Sequence, residues 1–273
     1  DFAYVVLGDV LFSRRDMVGA ERMLRKAIAI NPKFPPAHMI LANVLMYKDP
    51  KAKFVEQGQL IPAEPMKEAV KEAEEAHRLF NEVAKKKVSV MKGVKYMSIS
   101  HLIFGGARYA DDAAMAESNY ILGKAYTRWV GMDEEGKLSD TERDGLLARA
   151  RPHLQEALRL AQSSGDKVRQ VLVLLTSADN YFLKGESDKA IKDGEAALKL
   201  AESLPNVELT ESRFEAHTIL FQAYASTQDF PKAAAHLRKG LELYGNRLSA
   251  DERARLNDML RDFEDRSKAN RKK

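Results

Sequence analysis

The chain has no cysteine, which excludes disulfides, thiol catalysis and zinc–thiolate sites and leaves the redox compartment open. Glycine and proline are scarce, and the balance is a helix-forming mixture of Ala, Leu, Glu, Lys and Arg, so a disordered chain is a poor reading. Long apolar runs are missing: Val171 to Leu175 falls far short of the roughly 20 residues a membrane helix needs. No basic-then-apolar leader opens the chain. It starts at Asp1 inside an apolar-periodic segment, which leaves room upstream for a signal, a lipid anchor or a further repeat, so localisation is not readable. An excess of one charge is missing as well. Of the net +4, Arg266, Lys268, Arg271, Lys272 and Lys273 supply +5 in a stretch without an acid, which leaves −1 for the rest. A near-neutral body does not suit a phosphate-tracking surface, so nucleic acid is disfavoured as a partner.

What the chain does have is a repeat. Tyr4, Leu7, Gly8 and Leu11 lie three and four apart on one helix face, and Ala20, Leu24 and Ala27 on a second, with Pro32 closing it. Gly8, Ala20 and Ala27 are small where two antiparallel axes must approach, and Leu24 fills the space beside them. His38, Leu41, Ala42 and Leu45 follow 34 residues on and pair with Ala69, Ala73 and Ala76. Asn119, Leu122, Gly123 and Tyr126 pair with Ala150, Leu154 and Ala157. Leu174, Ser177, Ala178 and Tyr181 pair with Ala190, Gly194 and Ala197; His217, Leu220, Phe221 and Tyr224 pair with Ala233, Leu237 and Gly240.

Five such matches in order, at this period, resemble the tetratricopeptide repeat. The resemblance implies an all-α fold, a right-handed superhelical solenoid of antiparallel helix pairs, in one repeat domain. The pairs span about 1–32, 35–84, 117–163, 168–201 and 211–245. Residues 85–116 read as a degenerate segment, with Val88, Met91, Val94, Leu102 and Phe104 apolar enough to be buried. Ser249 with Glu252 forms a capping box, and Leu256, Met259, Leu260 and Phe263 line one face of a capping helix over 249–268. Ser177, Gly194 and Phe221 depart from the family's preferences, so the fourth and fifth pairs are expected to pack less tightly. The step from the small residue of the first helix to the first Ala of the second is 12 in three pairs and 27 in the second and third. Two long loops are therefore expected, around Lys48 to Glu64 and around Gly131 to Leu138.

Catalytic and metal motifs are not found. The six histidines show no i, i+3 or i, i+4 pairing, and His38 and His217, on the packing stripe, read as satisfied, partly buried imidazoles. Asp133-Glu134-Glu135-Gly136 departs from a calcium loop and reads as a solvated acidic turn. No cofactor, metal site or enzyme activity is expected.

The resemblance implies that the first helix of each pair lines a concave face suited to a peptide or an amphipathic helix. On it fall Asn43 and Tyr47, then Tyr120, Lys124 and Arg128, then Asp179 and Phe182, and finally Gln222. These are the candidate protein-binding residues of a scaffold or assembly factor. Alternatives are a single-stranded RNA binder, which Asp9, Glu117, Asp179 and Glu215 argue against, and an accessory subunit of an enzyme complex. The uncapped amino end leaves weak self-association open.

Overall fold

The computed structural model describes residues 1–47, 63–85, 112–133, 136–205, 207 and 209–270. These residues form α-helices and one 3-10 turn, with no strand among them. They divide into two compact units, Asp1–Asp166 and Lys167–Lys273. The first loop expected, around 48–64, and the degenerate segment 85–116 fall largely outside the described residues.

In the first unit, α1 (Phe2–Ser13) pairs with α2 (Met17–Ile30), α3 (Pro35–Met46) with α4 (Ala63–Lys85), and α5 (Asp112–Gly131) with α6 (Asp140–Ser164). α2 packs on α3 and α4 on α5, while α1, α3 and α5 adjoin in that order. The second unit pairs α7 (Lys167–Leu183) with α8 (Ser187–Glu202) and α9 (Thr210–Ser226) with α10 (Phe230–Tyr244), and α11 (Ala250–Asn270) lies on α10.

Small residues set the close approach within each pair. Ala20, Ala27, Ala69, Ala150, Ala157, Ala190, Ala197 and Ala233 are fully buried. A Cβ on Gly8 would lie 2.7 Å from Leu24 Cγ, and one on Gly123 2.7 Å from Leu154 Cγ, so the two glycines are required by contact with the facing helix. A Cβ on Gly240 would meet nothing nearer than 3.7 Å. Gly8→Ala and Gly123→Ala are therefore expected to destabilise by about 1–2 kcal/mol, the overpacking outweighing the gain in helix propensity. Gly240→Ala should be neutral or slightly stabilising. Equal effects at all three positions in urea unfolding would contradict this account of the packing.

Of the positions expected to loosen the fourth and fifth pairs, Ser177 and Gly194 are compensated. The Ser177 hydroxyl donates to Asp193 Oδ2 at 2.7 Å, a polar contact where the family has an apolar one. The space left by Gly194 is filled from the next pair, since Leu220, fully buried, lies 3.1 Å from where a Cβ would stand. The second long loop is also mostly helix. Only residues 132–139 separate α5 from α6, because the insertion extends both helices.

That short connection is built around Asp133, whose carboxylate is 5% exposed and is no solvated turn residue. It accepts from the backbone N–H groups of Lys137 and Leu138 at 2.8 and 3.0 Å and from Arg143 at 3.1 Å. Ser139 and Glu142 then cap α6 reciprocally. The capping box expected at Ser249 is present: its N–H and hydroxyl donate to Glu252 Oε2, and the Glu252 N–H donates to Ser249 Oγ. Leu256, Leu260 and Phe263 of α11 pack against Leu220, Phe221, Tyr224 and Leu237. Met259, expected on the same face, is 40% exposed and turned away from it.

Candidate functional site

Polar side chains tie the helix pairs together at recurring positions. Where the repeat prefers an aromatic on the first helix, this chain has His38, Asn119 and His217, and each reaches the residue just before the central position of the second helix. His38 donates to Glu72 Oε2 at 2.6 Å through Nδ1 and to the Pro32 carbonyl at 2.9 Å through Nε2. Burial opposes its charge, but those hydrogen bonds and the Glu72 and Glu75 charges hold its pKa above the ordinary value. His153 Nδ1 donates to Asn119 Oδ1 at 2.9 Å, and His217 and His236 share one proton between Nδ1 atoms 2.9 Å apart. A second set joins the third pair to the second and the fifth to the fourth. The Tyr126 hydroxyl donates to Glu74 at 2.6 Å and the Tyr224 hydroxyl to Glu195 at 2.5 Å; burial, then these bonds, pushes both phenol pKa values up.

Histidines distant in sequence thus become neighbours, which their spacing did not reveal. His77 meets His153 edge to face with ring centroids 4.9 Å apart. Asn81 Nδ2 donates to His77 Nε2 at 3.0 Å, so Nδ1 carries the proton that His77 gives to Ser118 Oγ. These imidazoles are fastened into packing. Among the described residues, no three His, Asp or Glu side chains converge as a metal site requires.

Five of the expected binding residues lie on α3, at its C-terminal cap and on α5. α3 is buried along its whole length, and in α5 every residue from Ala116 to Thr127 is buried except Lys124. Asn43, 7% exposed, and Tyr120, 5% exposed, therefore lie inside. Tyr47, Lys124 and Arg128 are half-buried and come together at one corner. Lys124 Nζ stands 4.9 Å from the Tyr47 ring centre and 5.3 Å from that of Tyr120. The Arg128 guanidinium lies 4.5 Å from the Tyr47 ring centre, and its Nε donates to the Met46 carbonyl at 3.0 Å. Phe12 of α1 flanks Tyr47 at 6.3 Å. Burial works against the Lys124 charge, yet the Tyr120 and Tyr47 side chains outweigh it and hold the ammonium pKa above the usual lysine value.

Acidic groups sit at another level of the same face. Burial, then the nearby Glu117 charge, raises the Asp9 pKa. In the second unit, Asp179 and Phe182 on α7 and Gln222 on α9 are half-buried. A separate apolar surface lies on the first pair, where Leu7 and Val10 are 45% and 42% exposed and Val18 and Ile30 71% and 59%. Tyr4 and Leu7, expected in the packing stripe, are partly uncovered because no helix lies over that side among the described residues. No helix there is long and apolar enough to cross a membrane.

No protein-family model and no curated protein sequence matches the chain. Among solved structures it is similar to a thermophilic tetratricopeptide protein of Thermus thermophilus, with a TM-score of 0.50 and 18% identity over 96% of this chain and 97% of that one. At that identity the likeness concerns architecture alone, and it agrees with the buried alanines, the Gly8–Leu24 and Gly123–Leu154 contacts and the pairwise order of the helices: the fold is of the tetratricopeptide type.

Proposed function

We propose that the chain is a non-enzymatic scaffold that holds a segment of another protein against the first helices of its pairs. One observation carries this reading: beside α3 and the closed middle of α5, Tyr47, Lys124 and Arg128 form a half-open corner with an aromatic face and two cations. Aromatic and Arg side chains of this kind dominate protein interfaces. The described histidines support a non-catalytic reading, since each is engaged in packing contacts or hydrogen bonds between helices. Asp179, Phe182 and Gln222 are assigned the same role within the second unit.

The test places a photo-crosslinking residue at Tyr47 and, as a control, at the exposed Arg159 of α6, and irradiates each protein in an extract of its native cells. A discrete polypeptide joined to position 47, absent at position 159 and unchanged by ribonuclease, is the expected result. Products common to both positions would remove the corner from the binding surface. Material lost on ribonuclease treatment would favour RNA instead.

A further inference from the structure

We infer that the corner of Tyr47, Lys124 and Arg128 receives a carboxylate side chain of the partner segment, so that the protein selects acidic peptides. The inference rests on the reading of this face as a binding surface and adds the chemistry of what binds there.

Lys124 and Arg128 lie one turn apart on α5, where like charges repel, and both are half-buried. Charges withdrawn from water are normally paired. Arg143, whose side chain is 30% exposed, follows that rule in meeting Asp133 at 3.1 Å, and the more exposed Arg25 and Arg149 also meet acids, Glu68 and Glu74. Lys124 and Arg128 instead rest on tyrosine rings, and Arg128 spends its Nε on the Met46 carbonyl. Neither forms an ion pair with an acid among the described residues. A ring face attracts a cation but carries no net charge to cancel it, so among the described residues nothing balances the positive charge of the corner.

The arrangement is also preorganised. Tyr47 is faced by both cations, and the bond to Met46 fixes the guanidinium, leaving its Nη groups for a carboxylate in a planar, two-pronged contact. The α3 C-terminus accounts for one donor of Arg128, taken by the Met46 carbonyl, and one of Lys124, taken by the Tyr47 side chain, and it supplies no carboxylate to either. Asp9 and Glu117 repel acid at the other level; Glu117 lies two turns before Lys124, about 10 Å along the helix. A partner's carboxylate is therefore directed to one end of the face. The same two acids weigh against a continuous polyanion such as RNA.

The experiment displays random dodecapeptides and selects them in parallel on the full-length protein and on its Lys124→Gln, Arg128→Gln double variant. Peptides selected on the native protein should be enriched in Asp and Glu at one position next to an apolar residue, and that enrichment should vanish on the variant. A synthetic consensus peptide should then lose at least tenfold in affinity when its Glu is replaced by Gln, with binding weakened by added salt. The Gln peptide needs only the native protein, so this arm holds even where the variant folds poorly. Selected peptides without acidic enrichment, equal enrichment on the variant, or equal affinity for the Gln peptide would overturn the inference while leaving peptide binding intact. No selected peptide at all would overturn the scaffold reading too, and tighter binding of an RNA oligomer than of any peptide would do the same.

Discussion

Between pH 7 and pH 4 the protein is expected to lose several kcal/mol of stability, and the loss should trace to its two histidine pairs. Burial, then the facing His153, depresses the His77 pKa to about 4. Burial, then His236 and Lys239, depresses that of His217 to about 4, with Glu242 opposing. Burial lowers His153 and His236 as well. A depressed histidine binds its proton more readily in the unfolded chain. Its contribution is therefore complete above the unfolded value near 6.5, falls as pH drops through that value, and is gone near 4. At about 1.4 kcal/mol per pH unit, reduced for solvent screening of the partly exposed rings, His77 and His217 each account for about 2–3 kcal/mol. That is a large part of the roughly 5–15 kcal/mol that holds a typical domain.

The members of each pair titrate together: one proton bridges the neutral His217 and His236, protonating the accepting Nδ1 breaks that bond, and the cation so formed opposes protonation of the second ring. His38 runs the other way. Its raised pKa makes its contribution complete below 6.5 and lost as pH rises through the folded value, so it does not offset the acid loss. The lowered carboxyl pKa values of Glu75, Glu142, Glu156 and Glu242 act below about 4.5, beneath the histidine window. Urea unfolding at intervals from pH 7.5 to 4.5 should show the decline, and His77→Gln or His236→Gln should flatten it. A level profile in the native protein, or an unchanged slope in both variants, would show that the imidazoles titrate normally.

The repeat was legible because its signal is local. Ala20 and Ala27, or Gly123 and Tyr126, fall on one helix face by spacing alone, and burial follows from the period. The polar ties were not legible. His38 and Glu72 lie 34 residues apart, as do Asn119 and His153, but His217 and His236 only 19, because the insertions shift the second helix. A search by spacing treats these as unrelated, and only the repeat register, which puts each partner just before the central residue of the second helix, unites them. The binding face was legible in part. Lys124 and Arg128 at i and i+4 announce one surface, and the structure brings Tyr47 to it. The closure around Asn43 and Tyr120 had a signal that went unused: α3 is apolar on every side, and a helix of that kind is buried all round. Tyr120 thus belongs to packing as much as to any ligand, whereas Tyr47 stands at the opening.

Deleting Ser249 to Lys273 is expected to have the largest effect of any change at the ends. α11 sets Phe263, 8% exposed, and the partly buried Leu256 and Leu260 on a cluster that includes Leu220, Phe221 and Leu237. Phe230 stacks on Phe263 at 6.0 Å, and Arg238 joins Glu264 at 2.5 Å across the same contact. The ion pair is half exposed and contributes little. Burial of the three apolar side chains contributes about 5 kcal/mol in gross terms, at roughly 1.5–3 kcal/mol for a full side chain, and its loss uncovers an apolar patch. The truncated protein should melt well below the native one and aggregate on heating. Trimming only Lys268 to Lys273 should leave the melting temperature unchanged, because the apolar contacts end at Phe263. Phe263→Ala separates the two parts of α11, since it removes the main anchor while keeping every charge, and it should reproduce about half of the truncation's effect. A truncated protein as stable as the native one would mean that the α9–α10 pair closes its own core, and that α11 rests on the surface without sealing it.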